Sequence, residues 1–176
     1  MSVNEQSARF KFVRSNEDEI ANRAIYLPPS HEKRKTLILD IDETLLHVIR
    51  EADIPENSLK KLIVLELEVG EERLVVALRP NVLEFLEHTS KSFELMLFTS
   101  GTEEYAHAVL QILDPHNKLF VDVLNRGHCI ERGGLFIKDL DIVKGRLIKD
   151  ILILDNREES FLFHPHNGIP IKDFVG

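Results

Sequence analysis

The sequence predicts an α/β domain with a central parallel sheet and a small β-hairpin or β-sheet insertion. Three apolar runs predict the sheet: Thr36 to Ile41, Phe93 to Phe98 and Ile151 to Leu154. Continuous runs of this length suit strands buried on both faces. Helical periodicity between them predicts the alternation of strands and helices that builds a parallel sheet. Two β-rich segments around Gly70-Glu71-Glu72 predict the insertion.

In chain order, residues 1–30 read as a polar arm, open to flexibility, with a short helix near Asn16 to Arg23 and a stop at Pro28-Pro29. Lys33-Arg34-Lys35 then reads as a solvated strand entrance. The first apolar run follows and carries Asp40. The insertion spans about 60–78, pairing Leu62 to Glu68 with Leu74 to Leu78. Val82, Phe85 and Leu86 mark one helix by their i, i+3, i+4 spacing, with Pro80 near its start. Tyr105, Val109, Ile112 and Leu113 mark a second, bounded by Asp114-Pro115. Cys129 to Ile137 reads as a hairpin turning at Gly133-Gly134.

Composition narrows the function classes. The 176 residues are 43% hydrophobic and 30% charged, an ordinary balance for one globular domain. No apolar run approaches the roughly 20 residues needed to span a bilayer, and the first residues lack a secretory pattern. The single cysteine, Cys129, excludes an internal disulfide. A formal net charge of -8 disfavours direct nucleic-acid binding. It also opposes phosphorylated ligands at long range, so a bound cation and local basic residues would have to reverse the field inside a site.

Ligands of an open parallel sheet bind beyond the carboxyl ends of its strands. Asp40, Thr99 and Asp155 stand at three such ends. In LILDIDETLLH, Asp40 and Asp42 are two positions apart, and continued strand geometry would point both to one side. Two close carboxylates need a shared proton or a cation, and a hard, oxygen-ligated ion such as Mg²⁺ is the natural partner. In LFTSGTEEYA, a hydroxyl and exposed N–H groups at a helix start can hold phosphate oxygens. Lys138 can neutralise phosphate charge, and Asn156 offers a neutral oxygen to a metal. Taken singly, each has a plain structural explanation: a turn, a helix cap, a surface lysine.

Together these segments resemble the haloacid dehalogenase superfamily, in its branch of small phosphatases acting on the RNA polymerase II C-terminal domain. DIDETLLH, LRPNVLEFLE, FTSGTEEYAHAVLQILDP, FIKDL and LILDNREESFLFHPHNGIPI carry the resemblance, in the family's order, over about residues 36–174. It implies a three-layer Rossmann-like domain over 31–176 and a Mg²⁺-dependent phosphoprotein phosphatase. Asp40 matches the nucleophile that becomes a phospho-aspartate, and Asp42 the general acid and base, with Thr44 in support. Thr99 and Lys138 match the phosphate-holding residues, and Asp155 the acid beside Lys138. Asp40, the backbone carbonyl of Asp42 and Asn156 match the metal ligands. Arg126 matches an arginine facing the phosphopeptide. Leu65, Leu67, Leu74 and Tyr105 fall where the family builds an apolar substrate pocket. His47 also fits the family and reads as structural.

The sequence departs from the family at Arg157 and Glu158, where the pattern has a small residue and proline. Glu66, Glu68, Glu71, Glu72, Glu103 and Glu104 make the pocket neighbourhood acidic, which favours basic residues flanking the phosphorylated one. The family usually continues into a C-terminal helix; this chain stops at Gly176, either truncated or without it. The expected partner is a phosphoprotein such as the RNA polymerase II C-terminal domain, with no direct nucleic-acid or membrane contact and a nuclear or cytoplasmic location. A small-molecule phosphatase of the same superfamily and a non-catalytic interaction protein are the competing readings.

Overall fold

Alternation inside the apolar runs decides which side chains form which core. A computed structural model of the chain describes residues 13–30, 34–50, 64–69 and 72–176; for Arg50, 64–69 and 72–73 it describes the backbone. The first elements are α1 (Glu17–Ala21), β1 (Ile25–Tyr26), β2 (Lys35–Leu39), β3 (Leu46–Arg50), β4 (Val64–Val69) and β5 (Glu72–Leu78). There follow α2 (Val82–Thr89), β6 (Phe93–Phe98), α3 (Glu103–Leu113) and β7 (Phe120–Leu124). The chain ends with β8 (Ile130–Arg132), β9 (Leu135–Ile137), β10 (Val143–Lys144), β11 (Ile151–Asp155) and β12 (Gly168–Pro170), interspersed with short 3₁₀ turns.

Five parallel strands form the central sheet in the order β12-β11-β2-β6-β7. Leu37 and Leu39 of β2, with Leu95 and Leu97 of β6, face Val82 and Leu86 of α2 and Val109 and Leu113 of α3. The intervening Ile38, Met96 and Phe98 face the other way, toward Leu27, Leu140, Ile142, Val143 and Phe161. Both faces of the sheet are therefore buried, as a parallel sheet requires. Long helices cover one face; 3₁₀ turns, α1 and short strands form the layer on the other. Expected boundaries hold to within a residue or two, except that β2 ends at Leu39 and the chain turns at Ile41–Thr44 rather than continuing as strand.

The insertion is a three-stranded antiparallel sheet, β3-β5-β4, one strand more than the predicted hairpin. β3 begins right after the DIDET turn and contains His47, whose Nδ1 lies 3.2 Å from Glu43 Oε1. The predicted turn around Gly70-Glu71 and residue Leu62 lie outside the described residues. The hairpin β8-β9 turns at Gly133 and Gly134 with φ of +57° and +79°, a left-handed path that suits glycine.

Residues 13–26 lie against this domain. Asn16 caps α1 in a reciprocal box with Glu19, Glu19 accepts two bonds from Arg132 at 2.7 and 2.8 Å, and β1 pairs with β10. Ser15 donates to Asp139, which also bonds His164 Nε2 at 2.8 Å.

Asp114 closes α3 and anchors the loop to β7. Its buried carboxylate accepts the backbone N–H groups of Lys118, Leu119 and Phe120 at 2.9, 2.7 and 3.2 Å. Burial works against its charge, yet these bonds hold its carboxyl below the usual carboxylate range. Asp114→Ala removes all three hydrogen bonds and is expected to cost about 2–4 kcal/mol in urea unfolding. In wild type, this stabilisation is present above the ordinary carboxylate pKa and is lost as pH falls through the lowered folded value. A loss below about 0.5 kcal/mol would show that the loop is held by other contacts.

Candidate active site

Chain order turns back across the sheet between β2 and β11, so their carboxyl ends meet at a topological switch point. Asp40 directly follows β2, and its N–H donates to Leu154 O of β11 at 3.0 Å, which keeps it in register with Asp155 at the end of β11. Thr99 directly follows β6. Lys138 directly follows β9, and its N–H bonds Ser160 O. The hairpin thus carries the lysine across the strand ends.

Lys138 is the centre of charge. Its side chain, 1% exposed, donates to Asp40 Oδ1 at 2.5 Å and to Asp155 Oδ2 at 2.6 Å. Burial opposes the ammonium, but the two carboxylates more than offset this and hold Lys138 above the ordinary lysine range. Burial pushes Asp40 and Asp155 upward against the pull of Lys138. Asp42 is also pushed up by burial, despite hydrogen bonds from Tyr105 and Thr99. Asp40 and Asp155 thus share one ammonium, with the Asp42 carboxyl beside them, a crowding of acids that a divalent cation would relieve.

The other side chains set geometry. The Thr44 hydroxyl lies 2.9 Å from Asp40 Oδ2 and 3.2 Å from Asn156 Oδ1, and accepts from Asn156 N at 3.2 Å. A hydroxyl has one proton to give, so one of those two oxygens is left for another partner. A carboxylate and an amide oxygen converging in this way are hard ligands suited to Mg²⁺. Thr99 Oγ1 lies 3.3 Å from Asp42 Oδ2 and accepts Gly101 N at 2.9 Å. The small cavity above these groups is bordered by Asp40, Asp42, Lys138, Asp155, Asn156 and Arg157, among others.

The structure therefore brings Asp40, Asp42, Thr44, Thr99, Lys138, Asp155 and Asn156 together. Asp40 and Asp42 do not lie along one strand, because β2 has ended. Asp40 bonds Lys138 and Thr44, whereas Asp42 bonds Tyr105 and Thr99. Arg126 sits at the rim, its Nε bonded to Ser100 O at 2.7 Å and its guanidinium over the Phe136 ring. Of the expected groove residues, Leu74 packs against the core beneath the insertion. The side chains of Leu65 and Leu67 lie outside the described residues; their backbones pair with Val76 and Leu74.

Two roles had no sequence signal. Tyr105, expected in the groove, packs its ring against the core and donates its hydroxyl to Asp42 Oδ1 at 2.5 Å. Gly101 is required beneath it, since a Cβ there would stand 2.5 Å from the Tyr105 ring. Arg79 clamps the turn after Asp42. It donates to Thr44 O, Glu43 O and Lys172 O at 2.6, 2.9 and 2.7 Å and stacks on Phe174. Glu43 holds a left-handed φ of 56° there, a strained conformation that surrounding contacts must impose.

Residues 35–176 match the NLI interacting factor-like phosphatase family. The chain belongs to that family. It is 38% identical over 161 residues to phosphatase PSR1 of Saccharomyces cerevisiae, spanning 84% of this chain and 34% of that protein. It is 37% identical over 150 residues to CTD nuclear envelope phosphatase 1 of Xenopus laevis, spanning 82% of this chain and 61% of that one. The chain thus spans about a third to three fifths of these two relatives' length. Among solved structures it resembles the fission yeast RNA polymerase II CTD phosphatase Fcp1 bound to beryllium fluoride, with a TM-score of 0.65 and 28% identity. That match covers 81% of this chain and 42% of that one. The family segment includes every candidate site residue named above.

Proposed function

We propose that this chain is a Mg²⁺-dependent phosphoprotein phosphatase acting through a phospho-aspartate on Asp40. The observation that carries this reading is the buried Asp40–Lys138–Asp155 cluster at the strand ends, with Asp42 beside it. Asp40 attacks phosphorus in line while Asp42 gives its proton to the departing oxygen of the substrate. Burial of Asp42, which favours the protonated carboxyl, suits that first step. Asp42 then takes a proton from water, the resulting hydroxide attacks phosphorus, and phosphate leaves as the Asp40 carboxylate is restored. Lys138 and Thr99 hold phosphate oxygens, and Asp155 and Thr44 keep Lys138 and Asp40 oriented. Asp40, the carbonyl of Asp42 and Asn156 would hold Mg²⁺, which supplies neutralisation of the charge spreading on the phosphoryl group.

Substrates follow from the same reading. The relatives named as CTD phosphatases support a phosphoserine or phosphothreonine in a protein such as the RNA polymerase II C-terminal domain. Leu65, Leu67, Leu74 and Tyr105 are proposed to border its apolar groove, and Arg126 to face the peptide. A nuclear location is supported by the name of the frog relative; no helix of the described residues is long and apolar enough to cross a membrane. The domain boundary at about residue 31 belongs to this reading too.

The direct test is Mg²⁺-dependent phosphate release from a phosphopeptide library and, side by side, from metabolite phosphates. Faster turnover of metabolites than of every peptide would overturn the protein-substrate reading. The metal reading has its own test in thermal melting. Mg²⁺ at about a hundred times its Kd is expected to stabilise the protein by roughly 2.7 kcal/mol. Asn156→Ala should weaken that shift by removing a ligand. An unchanged Mg²⁺ response in Asn156→Ala would remove Asn156 from the metal set.

A further inference from the structure

We infer that Arg157 is a specificity-determining residue that receives a second anionic group of the substrate, beside the scissile phosphate; this rests on the phosphatase reading. Its backbone is fixed to the reacting cluster. Arg157 N donates to Asp155 Oδ1 at 2.8 Å, and Arg157 O accepts Ser160 N at 2.9 Å. The residue lines the same cavity as Asp40, Asp42 and Lys138, and its side chain is exposed there.

What sets it apart is the fate of its guanidinium. Arg14, Arg23, Arg34, Arg79 and Arg126 each donate to a backbone carbonyl. Arg132 and Arg146 form paired bonds with Glu19 and Glu94. Among the arginines whose side chains are described, Arg157 alone has a guanidinium with neither a hydrogen bond nor an ion pair. An arginine held at its backbone and free at its tip, at the mouth of an acidic cavity, is poised to meet an anion arriving with the substrate. Its planar fork matches a carboxylate or a phosphate with two bonds. Asp155 does not bond the guanidinium: its Oδ2 accepts from Lys138 and its Oδ1 from the Arg157 N–H.

The ligand is therefore a peptide with a carboxylate or a phosphate on a residue next to the phosphorylated one. On this side of the mouth, the preference is the reverse of the basic one expected from the glutamates of the insertion.

The test compares kcat/KM for three otherwise identical phosphoserine peptides, whose flanking residue is Asp, phosphoserine or Ala. Wild type, Arg157→Gln and Arg157→Lys are assayed with Mg²⁺, each checked by thermal melting. The anionic-to-neutral ratio is expected to exceed one in wild type. It should fall about tenfold in Arg157→Gln, the scale of one charge-assisted bidentate contact, with part of it kept in Arg157→Lys. A larger fall for the doubly phosphorylated peptide assigns the site to phosphate; equal falls assign it to either anion. An unchanged ratio in Arg157→Gln overturns the inference. Anisotropy of the same labelled peptides on Asp40→Asn, with and without Arg157→Gln, reads recognition without turnover. Wild type inert towards 4-nitrophenyl phosphate and all peptides would sink the phosphatase reading, while anisotropy would still decide on Arg157.

Discussion

Asp40→Asn is expected to lose Mg²⁺-dependent phosphatase turnover by on the order of 10⁴-fold or more, the scale seen when a covalent nucleophile is removed. The amide keeps the size and planarity of the carboxylate. Its one oxygen can still accept from Lys138 Nζ, 2.5 Å from Asp40 Oδ1 in wild type, while its NH₂ can donate to Thr44 Oγ1, 2.9 Å from Asp40 Oδ2. The fold should therefore survive, and circular dichroism with thermal melting would show it. What is lost is the negative oxygen that attacks phosphorus and the charge that would bind Mg²⁺. Asp42→Asn should also be severely slowed, and could leave phosphate on Asp40 if breakdown suffers more than formation. Mass spectrometry would show that adduct. Turnover in Asp40→Asn within tenfold of wild type, with contaminating phosphatase excluded, would end the phospho-aspartate mechanism.

Lys138→Met is expected to be inactive and to lose about 3–5 kcal/mol of stability near neutral pH. Breaking a buried ion network by removing one partner leaves charge uncompensated, and that loss has this typical scale. Here two carboxylates are stranded, because the one ammonium serves both Asp40 and Asp155. The pH dependence gives a second readout. Burial already pushes both carboxyls up, and without the ammonium they rise further. The folded variant then holds more protons than its unfolded chain, so its stability falls as pH rises. The stability gap to wild type should narrow on going from about pH 8 to about pH 5, above the ordinary carboxylate pKa. A gap that is constant across this range would mean that Lys138 contributes packing rather than charge compensation.

The local patterns of this chain by themselves determined the sheet strands β2, β6 and β11 and the polar residues at their ends. An unbroken apolar run between helical periods has few structural solutions, and Asp40, Thr99 and Asp155 could be named from their positions in it. The chain also announced the carboxylates of DIDET, Lys138 after its hairpin and the Asp155-Asn156 pair, but not the turn that parts Asp40 from Asp42. It was less informative about β3, which is continuous with the DIDET turn and carries no boundary of its own, and about β7, an edge strand whose apolar run is broken by Asp122. Only the tertiary structure decided the partners. Lys138 is 98 residues from Asp40 and 17 from Asp155, and the packing of the β8-β9 hairpin over the strand ends is what joins them. Tyr105 had an apolar periodicity that explained its ring but not its hydroxyl, which reaches Asp42 from a helix 63 residues downstream. Arg79 stood in a recognisable segment, yet its carbonyl partners Glu43, Thr44 and Lys172 carry no side-chain signal, because every residue has the same backbone oxygen. Which charges end up paired, and which one is left free as at Arg157, depends on distances between chain segments far apart in sequence, and those distances exist only once the sheet has closed its order.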